Sequence, residues 1–251
     1  MRVVSILRRF WPAAWMLAAC AALAWRQDWN RELFLLLHQA SHIVAAPLWR
    51  FASVFGDWLT VFSLMLYLSW RDPRRLPAML IGSALAVLLA IGLKAGFAMP
   101  RPPLVLPPGS FDLLDRLPGS GSFPSGHAMA AAALATFAAR GMACGRAAVW
   151  AALAGIVMLS RIAIGVHWPL DLLAGALLGW GSMAMALRWA WPQGWPRDVT
   201  RTLQLILLVT LAGGVAWLLG HRGVFAEYWL RVGIASASML AGFWRASRLG
   251  H

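Results

Sequence analysis

Long apolar runs alternate with short polar stretches along almost the whole chain. Runs of this length predict membrane-crossing helices. A hydrocarbon core of about 30 Å takes roughly 20 helical residues, and lipid offers backbone groups no partner outside the segment. Eight segments follow: Phe10–Trp25, Val54–Trp70, Leu76–Met99, His127–Ala143, Ala147–Ile164, Pro169–Ala190, Leu203–Leu219 and Val232–Trp244. The first and last are short for a full crossing, and Glu227 with Arg231 could instead open an interfacial helix. Arg31–Phe55 is apolar but broken by His38, His42, Pro47 and Arg50, and reads as a helix lying in the interface. Trp11, Trp25, Trp58, Trp70, Trp150, Trp168, Trp189 and Trp244 fall near segment ends, as in an aromatic belt.

Composition supports the same picture. Of 251 residues, 61% are hydrophobic and 12% charged, with a mean hydropathy of +0.67. Soluble domains carry about 45–50% apolar and roughly 25% charged residues. An ordinary soluble enzyme and a disordered chain are both excluded. The fold class is all-α, a polytopic transmembrane helical bundle.

The net charge of +13 resembles that of a nucleic-acid binder. Its distribution argues otherwise. With eight segments, one side holds Arg2, Arg8, Arg9, Arg71, Arg74, Arg75, Arg140, Arg146, Arg188, Arg197, Arg201, Arg245 and Arg248, against only Asp72 and Asp198. The positive-inside rule makes that side cytoplasmic, with the N-terminus on it, and implies no nucleic-acid partner. Arg8-Arg9 before an apolar run containing Leu17-Ala18-Ala19-Cys20 also has the form of a signal sequence; we read it as a retained first segment. Cys20 and Cys144 suggest neither a disulfide nor a metal site. His38 and His42 have the i,i+4 spacing of a metal pair but no third ligand nearby, and read as polar points on the interfacial helix.

Polar residues in or beside membrane segments are expensive and mark function by default. Three clusters fall on the outer side of this topology. Lys94 precedes Arg101-Pro102 by six intervening residues at the end of the third segment. Phe123-Pro124-Ser125-Gly126-His127 opens the fourth. Ser160-Arg161, then His167 and Asp171, flank the turn into the sixth. The i,i+4 spacing lets Asp171 accept the Nδ1 proton of His167, leaving Nε2 as a nucleophile. Ser125 and Gly126 place backbone N–H groups at a helix start, where an anion binds. His127 stands where it can protonate a leaving oxygen. Lys94, Arg101 and Arg161 supply three cations, a set that suits phosphoryl transfer, whose barrier yields only to several converging charges. Each motif alone has a plainer reading: a helix cap for Ser125, a snorkelling side chain for Lys94, a hydrogen-bonded pair for His167 and Asp171.

Together the three motifs resemble the type 2 phosphatidic acid phosphatase superfamily, the membrane lipid-phosphate phosphatases. Its signature is Lys, six residues, Arg-Pro; Pro-Ser-Gly-His; and Ser-Arg, five residues, His, three residues, Asp. Every signature residue is present between Lys94 and Asp171, and Ser53-Val54-Phe55-Gly56-Asp57 matches more loosely. The resemblance implies a phosphohistidine on His167, oriented by Asp171. It makes His127 the acid and then the base, and Lys94, Arg101, Ser125, Gly126 and Arg161 the phosphate-binding residues. It implies no cofactor, no metal and six core helices. A phosphatase core over 1–190 and a C-terminal extension over 191–251 are expected, the latter with two segments of no assigned role beyond packing or partner contact. The expected substrate is a lipid phosphate or diphosphate of isoprenoid, phosphatidylglycerol phosphate or phosphatidic acid type. The expected location is the bacterial inner membrane with the site facing the periplasm or exterior. The oligomeric state is open. The loop Pro102–Ser122 reads equally as a lid or as an interfacial connector. Competing readings are a lipid phosphotransferase, an intramembrane serine protease using Ser125, and a transporter.

Overall fold

The structure, a computed structural model, describes the backbone of residues 2–190, 194–220 and 226–248, and side chains over 13–190, 194–219 and 227–245. The side chains of Arg2, Arg8, Arg9, Trp11 and Arg248, used in the charge and belt readings, lie outside the described set. Among the described residues ten helices follow in order: α1 Arg2–Trp25, α2 Gln27–Ser41, α3 Ala46–Val54, α4 Trp58–Arg71, α5 Leu76–Phe97, α6 Gly126–Ala139, α7 Cys144–Ala163, α8 Pro169–Trp189, α9 Arg197–Gly220 and α10 Ala226–Arg248. Two 3-10 turns, Pro73–Arg75 and Pro102–Leu104, flank α5. No strand occurs among the described residues.

The bundle is built around α6. Its small side chains let α4, α5, α7 and α8 close on it, and every residue from Ala128 to Leu134 is buried. The closest approach is to α8, where two small residues a turn apart permit near backbone contact. A Cβ on Gly175 would lie 2.6 Å from the Ser125 carbonyl oxygen, and one on Gly179 only 2.1 Å from that of Met129. Val61, Met65 and Leu66 of α4, Leu76 and Met79 of α5 and Met183 of α8 fill the core beside Phe137.

All eight expected segments are helical, but they do not all span a membrane by themselves. Among the described residues, α5, α7, α8 and α9 are long and apolar enough. The α3–α4 pair would make a fifth span, bent by 51°. α6 is apolar but only 14 residues long, and ends four residues before the expected Ala143. Its enclosure by protein explains the short length, since a helix wrapped by other helices need not match the thickness of the lipid. α10 runs from Ala226 rather than Val232, and is not among the helices apolar enough to cross.

The single interfacial helix expected over Arg31–Phe55 is two helices, α2 and α3, divided near Pro47. His38 corrects the reading most sharply. It is buried, with Nδ1 3.0 Å from the Ile162 carbonyl oxygen of α7 and Nε2 accepting the Asp112 N–H at 3.2 Å. That ring joins three segments and is no polar point on a surface. Trp70 and Trp168 are also buried, so they belong to the core and not to a belt. The loop after α5 is fastened rather than loose: the Arg50 guanidinium donates to the Leu114 carbonyl at 2.6 and 3.0 Å, and the Leu114 N–H donates to Ile164 at 3.0 Å.

Successive helices from α4 to α8 alternate in direction. The C-termini of α5 and α7, the N-termini of α6 and α8 and the α3–α4 elbow therefore meet at one end, while Arg71, Arg75, Arg140, Arg146 and Arg188 lie toward the other. α9 and α10 cover α4, where the Ser238 hydroxyl donates to the Ser63 carbonyl at 2.7 Å and Gly242 sits against the Trp70 indole.

Candidate active site

Each of the three sequence clusters lands at a helix terminus on this shared end. α8 begins at Pro169, whose missing N–H falls where a helix has no use for one. Asp171, one turn in, turns its carboxylate back across the N-terminus. Its Oδ2 accepts from the Trp168 N–H at 2.9 Å, from the Ser122 hydroxyl, and from His167 Nδ1 at 3.2 Å. Asn30 on α2 satisfies another free donor of that first turn, accepting from the Leu170 N–H at 3.1 Å.

The other face of the His167 ring fixes its tautomer. Arg101 Nη1 lies 3.2 Å from His167 Nε2 and 2.8 Å from the Val166 carbonyl. A guanidinium can only donate, so Nε2 carries the lone pair and Nδ1 the proton held by Asp171. Burial, and then the charges of Arg161, Arg101 and Lys94, hold the imidazole well below the ordinary histidine range. The Arg101 guanidinium remains a cation.

The remaining cations are aimed by backbone. Lys94 donates to the Gly121 carbonyl at 2.7 Å, and Arg101 Nε to that of Ser120 at 3.0 Å, so both grip the segment that delivers Ser122. Ala98 caps α5 in the left-handed region at φ 43°, turning the chain sharply between Lys94 and Arg101. Arg161 is buried near the end of α7, and its Nη1 donates to Ser53 Oγ at 2.5 Å.

Ser125 is the N-cap of α6, with its Oγ 3.5 Å from the Ala128 N–H, and its own N–H donates to the Asp171 carbonyl at 3.0 Å. The corner of α6 is thus locked to the start of α8. The Ser125 hydroxyl makes no hydrogen bond to either histidine among the described residues, which leaves it without the base a serine nucleophile needs. His127 follows on the first turn. Gly56 of the α3–α4 elbow faces it, and a Cβ there would come within 2.9 Å of His127 Cβ. The imidazole makes no hydrogen bond among the described residues, so it is available to a bound molecule.

All eight sequence-identified residues are therefore at one end of the bundle, on five different stretches of chain. Sequence reasoning missed Ser122 and Ala98, and gave Ser53 no role beyond its place in the looser match. A largely apolar cavity of about 400 Å³ opens beside the site between α3, α4, α6 and α7. Ala131, one turn beyond His127, and Val157, one turn before Arg161, line it with Ala52, Phe55, Leu64 and Leu134.

Similarity to known proteins agrees with this geometry. The family model of the PAP2 superfamily matches residues 75–195. The undecaprenyl-diphosphatase of Sulfolobus acidocaldarius is 33% identical over 159 residues, covering 60% of this chain and 73% of that protein. The crystal structure of Aquifex aeolicus LpxE superposes with a TM-score of 0.58 at 30% identity, over 63% of this chain and 94% of that one. A transmembrane PAP2 type phosphatidylglycerolphosphate phosphatase from Bacillus subtilis shares the fold, with a TM-score of 0.50 at 20% identity over 69% and 90% of the two chains. With its complete motif set gathered at one end of such a bundle, the chain belongs to the PAP2 superfamily.

Proposed function

We propose that this protein hydrolyses a lipid phosphate or diphosphate through a phosphohistidine on His167, at the outer face of a bacterial inner membrane. The observation that carries the reading is the double hold on His167. Asp171 keeps the proton on Nδ1, and a cation stands at the Nε2 lone pair where the phosphoryl group would arrive.

The steps follow from the residues. An incoming phosphate takes over the donors of Arg101, Lys94 and Arg161 together with the N–H groups at the start of α6. Nε2 attacks phosphorus as the bond to the leaving oxygen breaks, and His127, which takes up a proton when the negative charge of the bound phosphate offsets the cations around it, gives that proton to the leaving oxygen. Asp171 stabilises the positive charge that the ring acquires. Water then attacks the phosphohistidine, His127 takes the water proton, and the P–N bond breaks to restore neutral His167. Phosphate is released, and the charge of the transition state is met by cations and backbone donors throughout.

The hydrocarbon tail fits the apolar cavity beside the site, which would leave the phosphate at headgroup depth. The arginine-rich end then faces the cytoplasm by the positive-inside rule, and the site faces outward. Release of inorganic phosphate from a polyprenyl phosphate or diphosphate by the purified protein, with chelator present, tests the reading. Wild type should turn over and His167→Ala should not. A Ser125→Ala variant as inactive as His167→Ala would contradict it in favour of a serine nucleophile.

A further inference from the structure

The C-terminal helix carries a cation to the active-site end that no motif of the family match contains. Arg231 lies on α10, outside the matched residues 75–195. Its Nη1 is 4.0 Å from Asp57 Oδ2. Asp57 caps α4 through the Leu59 and Thr60 N–H groups, so the position of this carboxylate is set by the helix itself.

The elbow between α3 and α4 makes this placement informative, because three consecutive contacts run along it. Ser53 receives Arg161. Gly56 packs against His127 so closely that a Cβ would clash with its Cβ and ring. Asp57, the next residue, faces Arg231. The guanidinium thus stands one residue along the elbow from the contact with the histidine assigned to the leaving oxygen. It is also underused. The contact with Asp57 is at the outer limit of an ion pair, the side chain is 36% exposed, and the buried Nε has no hydrogen-bond partner among the described residues. A guanidinium with donors left over, on the leaving-group side of a phosphate site, is placed to bind a second anion.

We propose that Arg231 binds the lipid-proximal phosphate of a diphosphate substrate, so that the C-terminal extension sets a preference for lipid diphosphates over monophosphates. This rests on the phosphatase reading above. When Nε2 of His167 attacks the terminal phosphorus, the bridging oxygen leaves with the lipid monophosphate. That leaving group carries charge a lipid alcohol lacks. Arg231 offsets that charge as it develops, and a monophosphate substrate gives it nothing to hold.

The test compares farnesyl diphosphate with farnesyl monophosphate on full-length protein, for wild type, Arg231→Met and Arg231→Lys. The ratio of kcat/KM for diphosphate over monophosphate should fall about 10- to 100-fold in Arg231→Met, the scale of one charge-assisted hydrogen bond. Arg231→Lys should recover part of it. A ratio unchanged in Arg231→Met, whether both activities fall together or neither does, overturns the proposal. Inhibition of the wild type provides a second measurement independent of any variant's folding. Methylenebisphosphonate should compete at lower concentration than inorganic phosphate, and equal potency would count against a second anion subsite. Wild-type protein that releases no phosphate from either probe would overturn the phosphatase reading itself, a result distinct from an unchanged ratio.

Discussion

At the scale of single residues, His167 is a buried imidazole whose environment refuses a proton. Burial, with Arg161, Arg101 and Lys94 around it, lowers its pKa well below the ordinary value. Its lone pair therefore stays available as the medium is acidified. The same shift links stability to pH. In the unfolded chain a histidine takes up a proton near pH 6.5. The folded chain does not, so stability is fully present above that pH and declines as pH falls toward the folded value. Melting temperatures at pH 7.5 and 5.5 should therefore differ less in His167→Gln than in wild type; an equal difference would assign the acid sensitivity elsewhere. Asp171→Asn should lower kcat roughly 100-fold or more, because an amide no longer holds the proton on Nδ1. Ser125→Ala should lose the cap, about 1 kcal/mol, and weaken the hold on phosphate, yet retain measurable turnover. Lys94, Arg101, Arg161, His167 and Asp171 were legible in the sequence because charge beside apolar runs is costly and needs a reason. Ser122 was not, since serine is common and its partner lies 49 residues away, and Ser53 stood only in the looser match, its partner 108 residues along the chain.

At the scale of elements, the site depends on how closely α6 and α8 approach. Gly175 and Gly179 hold the two backbones together, and through them the Ser125 corner is fixed beside Asp171. Gly179→Ala should cost at least the upper end of the roughly 1–3 kcal/mol typical of overpacking. Thermal unfolding in detergent would read this as a large loss of melting temperature. Gly181→Ala, two residues on with nothing within 4 Å of the new methyl, is the matched control and should melt like wild type. Helix positions were readable from apolar runs, but helix lengths were less so. α6 is shorter than its apolar run because Arg140 and Gly141 end it, and because protein rather than lipid surrounds it. Pro47 marked the break within Arg31–Phe55 locally, but the partners that His38 and Arg50 reach on α7 and the Pro102–Ser122 loop have no local signal.

At the scale of the whole molecule, one end gathers the chemistry and the other gathers arginine. Cys144 opens α7 beside Arg140 and Arg146 and is exposed, so it reports on that second end. In a Cys20→Ala background, a membrane-impermeant thiol reagent should leave Cys144 unmodified in intact bacteria and modify it in inverted vesicles. Modification in intact cells would reverse the proposed orientation. The extension over α9 and α10 illustrates what a linear reading cannot supply. Arg231 is conspicuous in the sequence only as a charge near the start of an apolar run. Its meaning comes from α10 lying along α4 and reaching the elbow at Asp57.

The phosphoenzyme is the most direct measurement of the central claim. Wild-type protein mixed with lipid substrate labelled in its terminal phosphate and quenched in alkali within milliseconds should retain label that acid removes, and mapping should place it on His167. Steady turnover by the wild type with no trapped label, or label that persists in His167→Ala, would contradict nucleophilic attack by this imidazole.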